Sequence, residues 1–296
     1  MTPQLLDAPA PARAEADVPT NSQRPLAVHS AGLTNPGQRR GNEDQFLIAD
    51  LRKALHIRQS SVAQAPIHYS QPQGHLFVVA DGVGGAAGGE LASALAVDVV
   101  EHVILDALHC CHRGLRTDGS KGSPFETAVT EADCRLVSES RRRPELHGMG
   151  TTLTLGYVDC RDLYVAHVGD SRCYLLRDHL LHRLTRDHTM VDELVRRGVL
   201  TPEEASQHGW RHVITNVVGG SEEGVAVEVH SLPLSSGDVM LLCSDGLSEM
   251  VPETEIQSIL DIETEPEAAC RRLVERANEC GGKDNITAVV ARFAEG

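Results

Sequence analysis

Apolar positions divide the chain into short blocks separated by turns and longer stretches with helical spacing. The blocks at 151–158, 162–168, 172–176 and 180–184 read as consecutive strands of an antiparallel meander. Further strands are predicted over 26–32, 46–49 and 76–80, and later over 225–230, 238–243 and 286–293. Between 90 and 108, Leu91, Ala94, Leu95, Val99 and Val103 fall on one stripe of a long core-facing helix. Ser123-Pro124 supplies an N-cap and a first-turn proline to a second helix ending near residue 140, with Phe125, Val129, Ala132 and Leu136 as its buried stripe. Two more helices are expected at about 253–261 and 266–279.

Residues 187–220 break the strand succession with a short amphipathic helix (Val191, Leu194, Val195) and a second small one capped at Thr201-Pro202-Glu203-Glu204. They read as an excursion lying over the sheet. Residues 51–75 are irregular and read as a hairpin or loop, and 109–122 as a polar link. Runs of strands with paired helices, in place of strict alternation, predict an α+β fold built on antiparallel sheets. Residues 1–25, with prolines among alanines and acids, read as a tail outside the single folded domain at 26–294.

Composition narrows the class. The 296 residues are 41% hydrophobic, enough for a sizeable core. A formal charge of -15 argues against partners held through a nucleic-acid backbone. No apolar run reaches the roughly 18 residues of a membrane span. The eight cysteines contain no C-x-x-C pair and mostly sit in apolar segments, which predicts reduced core thiols and a cytoplasmic setting. The histidines are scattered. The pairs His109/His112 and His208/His212 lack a metalloprotease pattern and read as surface or core residues.

The candidate chemistry lies where acids meet strands. Asp81, Asp170 and Asp245 each end an apolar run, whereas Asp44 and Asp284 each precede one. In antiparallel neighbours the end of one strand lies beside the start of the next, so all five can converge on one edge. Asp81 also opens Asp81-Gly82-Val83-Gly84-Gly85, where bare backbone can approach a ligand. Taken alone, Asp81-Gly82 reads better as an ordinary turn dipeptide, and it is the recurrence that changes the reading. Together the five aspartates would repel one another unless cations neutralise them, and oxygen-only ligands point to Mg²⁺ or Mn²⁺, with room for two ions and a water acidified between them.

Six ordered segments carry a resemblance. Arg39-Arg40-Gly41-Asn42-Glu43-Asp44, Val79-Ala80-Asp81-Gly82-Val83-Gly84-Gly85, Gly148-Met149-Gly150-Thr151-Thr152, Val168-Gly169-Asp170-Ser171-Arg172, Cys243-Ser244-Asp245-Gly246-Leu247-Ser248 and Gly282-Lys283-Asp284-Asn285-Ile286-Thr287 resemble the signature segments of the bacterial metal-dependent protein phosphatases of the protein phosphatase 2C family. The resemblance implies two stacked antiparallel sheets flanked by helix pairs, with a two-metal centre at one edge.

By the same resemblance, Asp81, Asp245 and Asp284 would ligate one ion, and Asp81 with the Gly82 carbonyl the second. Glu43 and Asp44 would support that shell, Asp170 would help hold a weaker third ion, and Asn285 would orient Asp284. Arg39 would bind the substrate phosphate, with Arg40 its rival if the register slips. A metal-bridging hydroxide would attack phosphoserine or phosphothreonine in line, without a covalent enzyme intermediate.

The implied protein is a cytoplasmic monomer that acts on phosphoproteins and opposes a Ser/Thr kinase in bacterial signalling or secretion control. The competing expectation is a catalytically dead phosphoprotein-binding module. Two positions depart from the family. Val83 stands where some relatives carry a histidine, which leaves protonation of the leaving group to metal-bound water. Asn216 stands where many bacterial members have arginine, within the 187–220 segment that corresponds to the family's flap.

Overall fold

The computed structural model describes residues 24–59, 61, 67–72, 74–84, 86–110, 123–221 and 223–296. The expected tail up to residue 23, most of the 109–122 link and His112 lie outside the described residues. In chain order the strands are β1 (Leu26–Asn35), β2 (Asp44–Leu51), β3 (Ala54–His56), β4 (Ile67–Tyr69), β5 (Gly74–Val83), β6 (Gly150–Thr151), β7 (Leu153–Asp159), β8 (Asp162–Val168), β9 (Arg172–Arg177), β10 (Leu180–Arg183), β11 (Glu228–Pro233), β12 (Val239–Cys243) and β13 (Ile286–Glu295). The helices are α1 (Ala86–Cys110), α2 (Pro124–Arg142), α3 (Met190–Arg196), α4 (Pro202–Ser206), α5 (Asp245–Ser248), α6 (Glu253–Ile262) and α7 (Pro266–Glu279).

Two antiparallel sheets stack face to face. One runs β1-β13-β12-β9-β10; the other runs β11-β8-β7-β5-β2, with the short β6 pairing antiparallel to the end of β5. Alternation along the strands builds three apolar layers. In β5, Phe77 and Val79 point between the sheets towards Leu175, Met240, Leu242 and Val289, while Leu76, Val78 and Ala80 face α1 and α2. In β12, Met240 and Leu242 face inward, and Val239, Leu241 and Cys243 face α6 and α7. Because both faces of these central strands are covered, their sequence is a continuous apolar run although the sheets are antiparallel.

Four expectations need correcting. The fully buried stripe of α1 is Ala92, Ala96, Val100 and Ile104, whereas Leu91, Leu95, Val99 and Val103 are half-buried beside it and Ala94 is exposed. The 151–184 blocks are not one meander: β7 and β8 pair in one sheet, β9 and β10 in the other. The chain changes sheets at Gly169, whose φ of 108° turns it, and whose missing side chain makes way for Thr152, 2.6 Å from where a Cβ would stand. Among the cysteines, Cys173, Cys243 and Cys270 are buried, but Cys134 on the outer side of α2 and Cys160 in the β7–β8 turn are exposed. The six cysteines whose side chains are described are free thiols. The strand expected at 225–230 forms three residues later, where Glu228 to Pro233 find β8 as a partner. The irregular 51–75 stretch does contain a hairpin, β3 against β4.

Candidate metal centre

The register of β2 on β5 sets Asp44 directly opposite Asp81. Asp245 follows β12 at the first turn of α5, Asp284 lies just before β13, and Asp170 lies just after β8. All five expected aspartates meet at this one edge. Asp81 is raised well above the ordinary carboxylate range, first by burial and then by the charges of Asp44, Asp245 and Asp170. Asp245 is raised by burial and then by Asp170, Glu249, Asp284 and Asp44. Burial, helped by Asp187 and Glu249, lifts Asp170 to about 7.

Asp44 shows how the edge is held. It is 2% exposed, and its Oδ2 accepts hydrogen bonds from the hydroxyls of Ser244 and Thr287, each at 2.7 Å. Its Oδ1 is buried without a hydrogen-bond partner, as is Oδ1 of Asp245. Burial outweighs the two hydroxyls, so the Asp44 carboxyl moves up to about 6. Buried carboxylate oxygens are normally satisfied. Two orphaned ones among mutually repelling acids fit oxygen ligands for hard divalent cations.

The glycines fit the same reading. A Cβ on Gly82 would stand 2.1 Å from the Gly89 carbonyl oxygen, and one on Gly89 would stand 2.3 Å from Glu43 Oε2. Neither position admits a side chain, which lets the Gly82 backbone and the Glu43 carboxylate crowd beside the start of α1. The Gly82 N–H donates to the Glu43 carbonyl at 3.2 Å, and the Ser93 hydroxyl donates to the same carbonyl at 2.6 Å. Burial raises the Glu43 carboxyl, while the Arg39 charge opposes the shift.

Asn285 touches Asp284 through its backbone N–H, which donates to Oδ1 at 2.8 Å. Its side chain does something else. The amide donates to the carbonyls of Pro36 and Gly41 at 3.1 and 2.9 Å and accepts from the Glu43 N–H at 2.8 Å, which staples residues 36–43 to the edge. That loop carries Arg39, whose Nη2 donates to Asp284 Oδ2 at 2.6 Å with the side chain 60% exposed. Arg40 is also exposed but makes no such bond to the aspartates.

The excursion at 187–220 is tied back at both ends. At its start the His188 N–H donates to the Gly169 carbonyl at 2.7 Å, and at its end Thr151 bridges Val218 and the Gly219 N–H donates to Asp133 Oδ1 at 2.6 Å. Asn216 joins the segment to the chain that follows it: its Nδ2 lies 2.9 Å from His188 Nδ1 and donates to the Ala226 carbonyl at 2.7 Å. The sequence reading missed Ser244 and Thr287, although each lies in a motif that it quoted. It also missed Glu249, which the turn of α5 brings beside Asp245 and His212.

A sequence profile described as Protein phosphatase 2C matches residues 52–290. The chain belongs to the protein phosphatase 2C family. The serine/threonine phosphatase stp of Listeria monocytogenes is 34% identical over 232 residues, covering 75% of this chain and 90% of that protein. The crystal structure of the phosphatase Stp1 from Staphylococcus aureus superposes with a TM-score of 0.76 at 27% identity, covering 97% of this chain and all of that one. A catalytic-domain structure of the serine/threonine phosphatase PstP with two manganese ions superposes at 0.71 with 33% identity, over 91% of this chain and 99% of that one. The two stacked sheets with flanking helices are thus the protein phosphatase 2C architecture. Among the described residues, no helix is long and apolar enough to cross a membrane.

Proposed function

We propose that the chain is a serine/threonine protein phosphatase of the bacterial protein phosphatase 2C type, with Asp81, Asp245, Asp284 and the Gly82 carbonyl holding two divalent ions and Glu43 and Asp44 supporting them. The observation that carries this reading is the pair of buried, unpartnered oxygens on Asp44 and Asp245 within a set of acids that raise one another's pKa. Two bound ions supply Lewis acidity to the phosphate oxygens and acidify a water towards neutral pH.

The protein's own contribution is position. Ser244 and Thr287 fix Asp44, which faces Asp81 across the β2–β5 ladder. Thr152 fixes the Asp81 backbone, with its hydroxyl accepting from the Asp81 N–H at 3.0 Å and its N–H donating to the Asp81 carbonyl at 2.8 Å. Arg39, anchored to Asp284 at the rim, presents a planar fork to two oxygens of a phosphoserine or phosphothreonine. Its exposure admits a substrate that is itself a protein.

Mn²⁺ or Mg²⁺ suits an all-oxygen set, and Asp170, whose charge raises the Asp245 carboxyl, would help hold a weaker third ion. In this reading the enzyme is a cytoplasmic monomer opposing a Ser/Thr kinase. The presence and convergence of every expected aspartate weigh against a dead binding module. The test is phosphate release from a phosphothreonine peptide by metal-stripped protein. Activity should return with Mn²⁺ or Mg²⁺; folded protein that stays inactive with either would overturn the proposal.

A further inference from the structure

His188 stands at the root of the 187–220 segment and engages four residues at once. Its N–H donates to the Gly169 carbonyl at 2.7 Å, and its own carbonyl accepts from the Thr215 N–H at 2.8 Å and the Thr215 hydroxyl at 3.1 Å. On the ring, Nδ1 lies 3.1 Å from the Gly169 nitrogen and 2.9 Å from Asn216 Nδ2, while Nε2 faces Glu228 Oε2 at 3.5 Å.

These partners fix the tautomer. The Gly169 N–H can only donate. The Asn216 amide is oriented independently of the ring, because its Oδ1 accepts from the Ala226 N–H at 3.2 Å and its Nδ2 donates to the Ala226 carbonyl at 2.7 Å. Both neighbours of Nδ1 are therefore donors. Nδ1 holds the lone pair, and the ring proton sits on Nε2, turned towards the largely buried Glu228 carboxylate.

The turn that His188 grips on both its N–H and its carbonyl leads to the metal centre. The missing side chain of Gly169 makes way for Thr152, and two residues on, the Ser171 hydroxyl meets the Thr152 hydroxyl at 2.8 Å. Thr152 in turn holds the Asp81 backbone through its own N–H and hydroxyl. Thr152 and Ser171 are fully buried, so close packing passes a shift of the turn on to Asp81.

We infer that His188 is a positioning residue for the two-ion centre: its Nδ1 lone pair locks the 169–171 turn, and behind that turn Thr152 and Asp81, to Asn216 in the far limb of the segment. The inference rests on the metal-centre reading, since the role assigned to His188 is towards those ligands. It also gives Asn216 a task of its own, as the side-chain donor that fixes the ring.

Asparagine carries Oδ1 where histidine carries Nδ1, whereas glutamine has polar atoms only further out, towards Glu228. His188→Asn should therefore keep the acceptor and His188→Gln should lose it. Mn²⁺ binding by the full-length, metal-stripped protein would be read from the electron-spin-resonance signal of free Mn²⁺, which needs no turnover. His188→Asn should half-saturate within about threefold of wild type, and His188→Gln should need roughly tenfold more Mn²⁺. Asn216→Asp replaces the donor with an acceptor, which draws the ring proton to Nδ1 and leaves the Gly169 N–H without its acceptor. It should weaken binding as His188→Gln does, and it carries the test if circular dichroism shows that His188→Gln has not folded. A role confined to shaping the segment would lower the urea midpoints of both His188 variants alike and leave their Mn²⁺ binding at the wild-type level. That outcome, or equal weakening of Mn²⁺ binding in the two, would overturn the inference. Wild-type protein that takes up no Mn²⁺ would instead sink the metal-centre reading, and the inference with it.

Discussion

The layer between the sheets and the edge that carries the carboxylates are made by the same strands, within a few residues of each other. In β5, Phe77 and Val79 are fully buried against the opposing sheet; two residues on, Asp81 is enclosed by other acids. In β12, Met240 and Leu242 are fully buried, and Asp245 follows three residues later. The interior is stabilised by what it contains, since every removed methylene forfeits transfer and packing energy. The edge is stabilised only by what it can bind, because its members repel one another. One strand therefore serves stability along most of its length and opposes it at its tip.

The largest expected effects follow from exchanging one residue in each region. Asp81→Ala should reduce metal-dependent phosphate release by roughly three orders of magnitude. It should also raise the unfolding midpoint of the metal-free protein, by relieving repulsion. Leu241→Ala, at a fully buried position between β12 and the α6–α7 pair, should do the reverse. A loss of about 3 kcal/mol is expected in urea, with the metal requirement unchanged. Equal stability losses in the two variants would dissolve the contrast.

The next effect is a change of sign with pH. Asp44 is raised from 3.8 to about 6 and Asp170 to about 7, so without cations the native state binds more protons than the unfolded chain between about pH 4 and 7. Stability contributed by these groups is full below pH 4 and is lost as pH rises through their folded values. His167 acts oppositely. It is buried and its pKa is lowered to about 4, first by desolvation, with Thr154 and the Arg186 carbonyl already occupying its two ring nitrogens at 2.8 Å. Its contribution is present above 6.5 and is lost as pH falls towards 4. Metal-free protein should therefore lose stability from pH 4 to 7, and saturating Mn²⁺ should invert that slope by cancelling the carboxylate contribution. Urea midpoints across the range with and without Mn²⁺ would decide it; parallel curves would mean the acids are not the ion's ligands.

The smallest effect sharpens the rim of the edge. Arg39→Ala should raise KM for a phosphopeptide about tenfold, the loss of a charge-assisted contact, while Arg40→Ala changes it little. The opposite ranking would assign the phosphate to Arg40 instead.

The aspartates were legible because each sits where an apolar run starts or stops, and antiparallel pairing turns such boundaries into neighbours. The four layers were legible only through the resemblance, because a strand buried on both faces loses its alternation. Sheet membership was not legible: the jump at Gly169 looks in sequence like the other turns between 151 and 184. Nor was the work of the small hydroxyls. Ser244 and Thr287 are ordinary residues until strands β12 and β13 align and bring both within 2.7 Å of Asp44, 243 positions from Thr287 in the chain. The His212–Glu249 pairing needs the path of an irregular segment, which no periodicity encodes.

The pairing of β1 with β13 runs from Asn35 opposite Ile286, at the acidic edge, to Leu26 opposite Glu295. Ten residues of extended chain place the second end about 30 Å from the first. The first and last strands of the domain therefore begin and end side by side, far from the chemistry. A short peptide joining those ends would yield a closed circle, which could be cut open at the exposed β9–β10 turn around Asp178 and His179. The order of segments along the chain would then change while the five aspartates kept their places, a separation of connectivity from catalysis that the fold makes available.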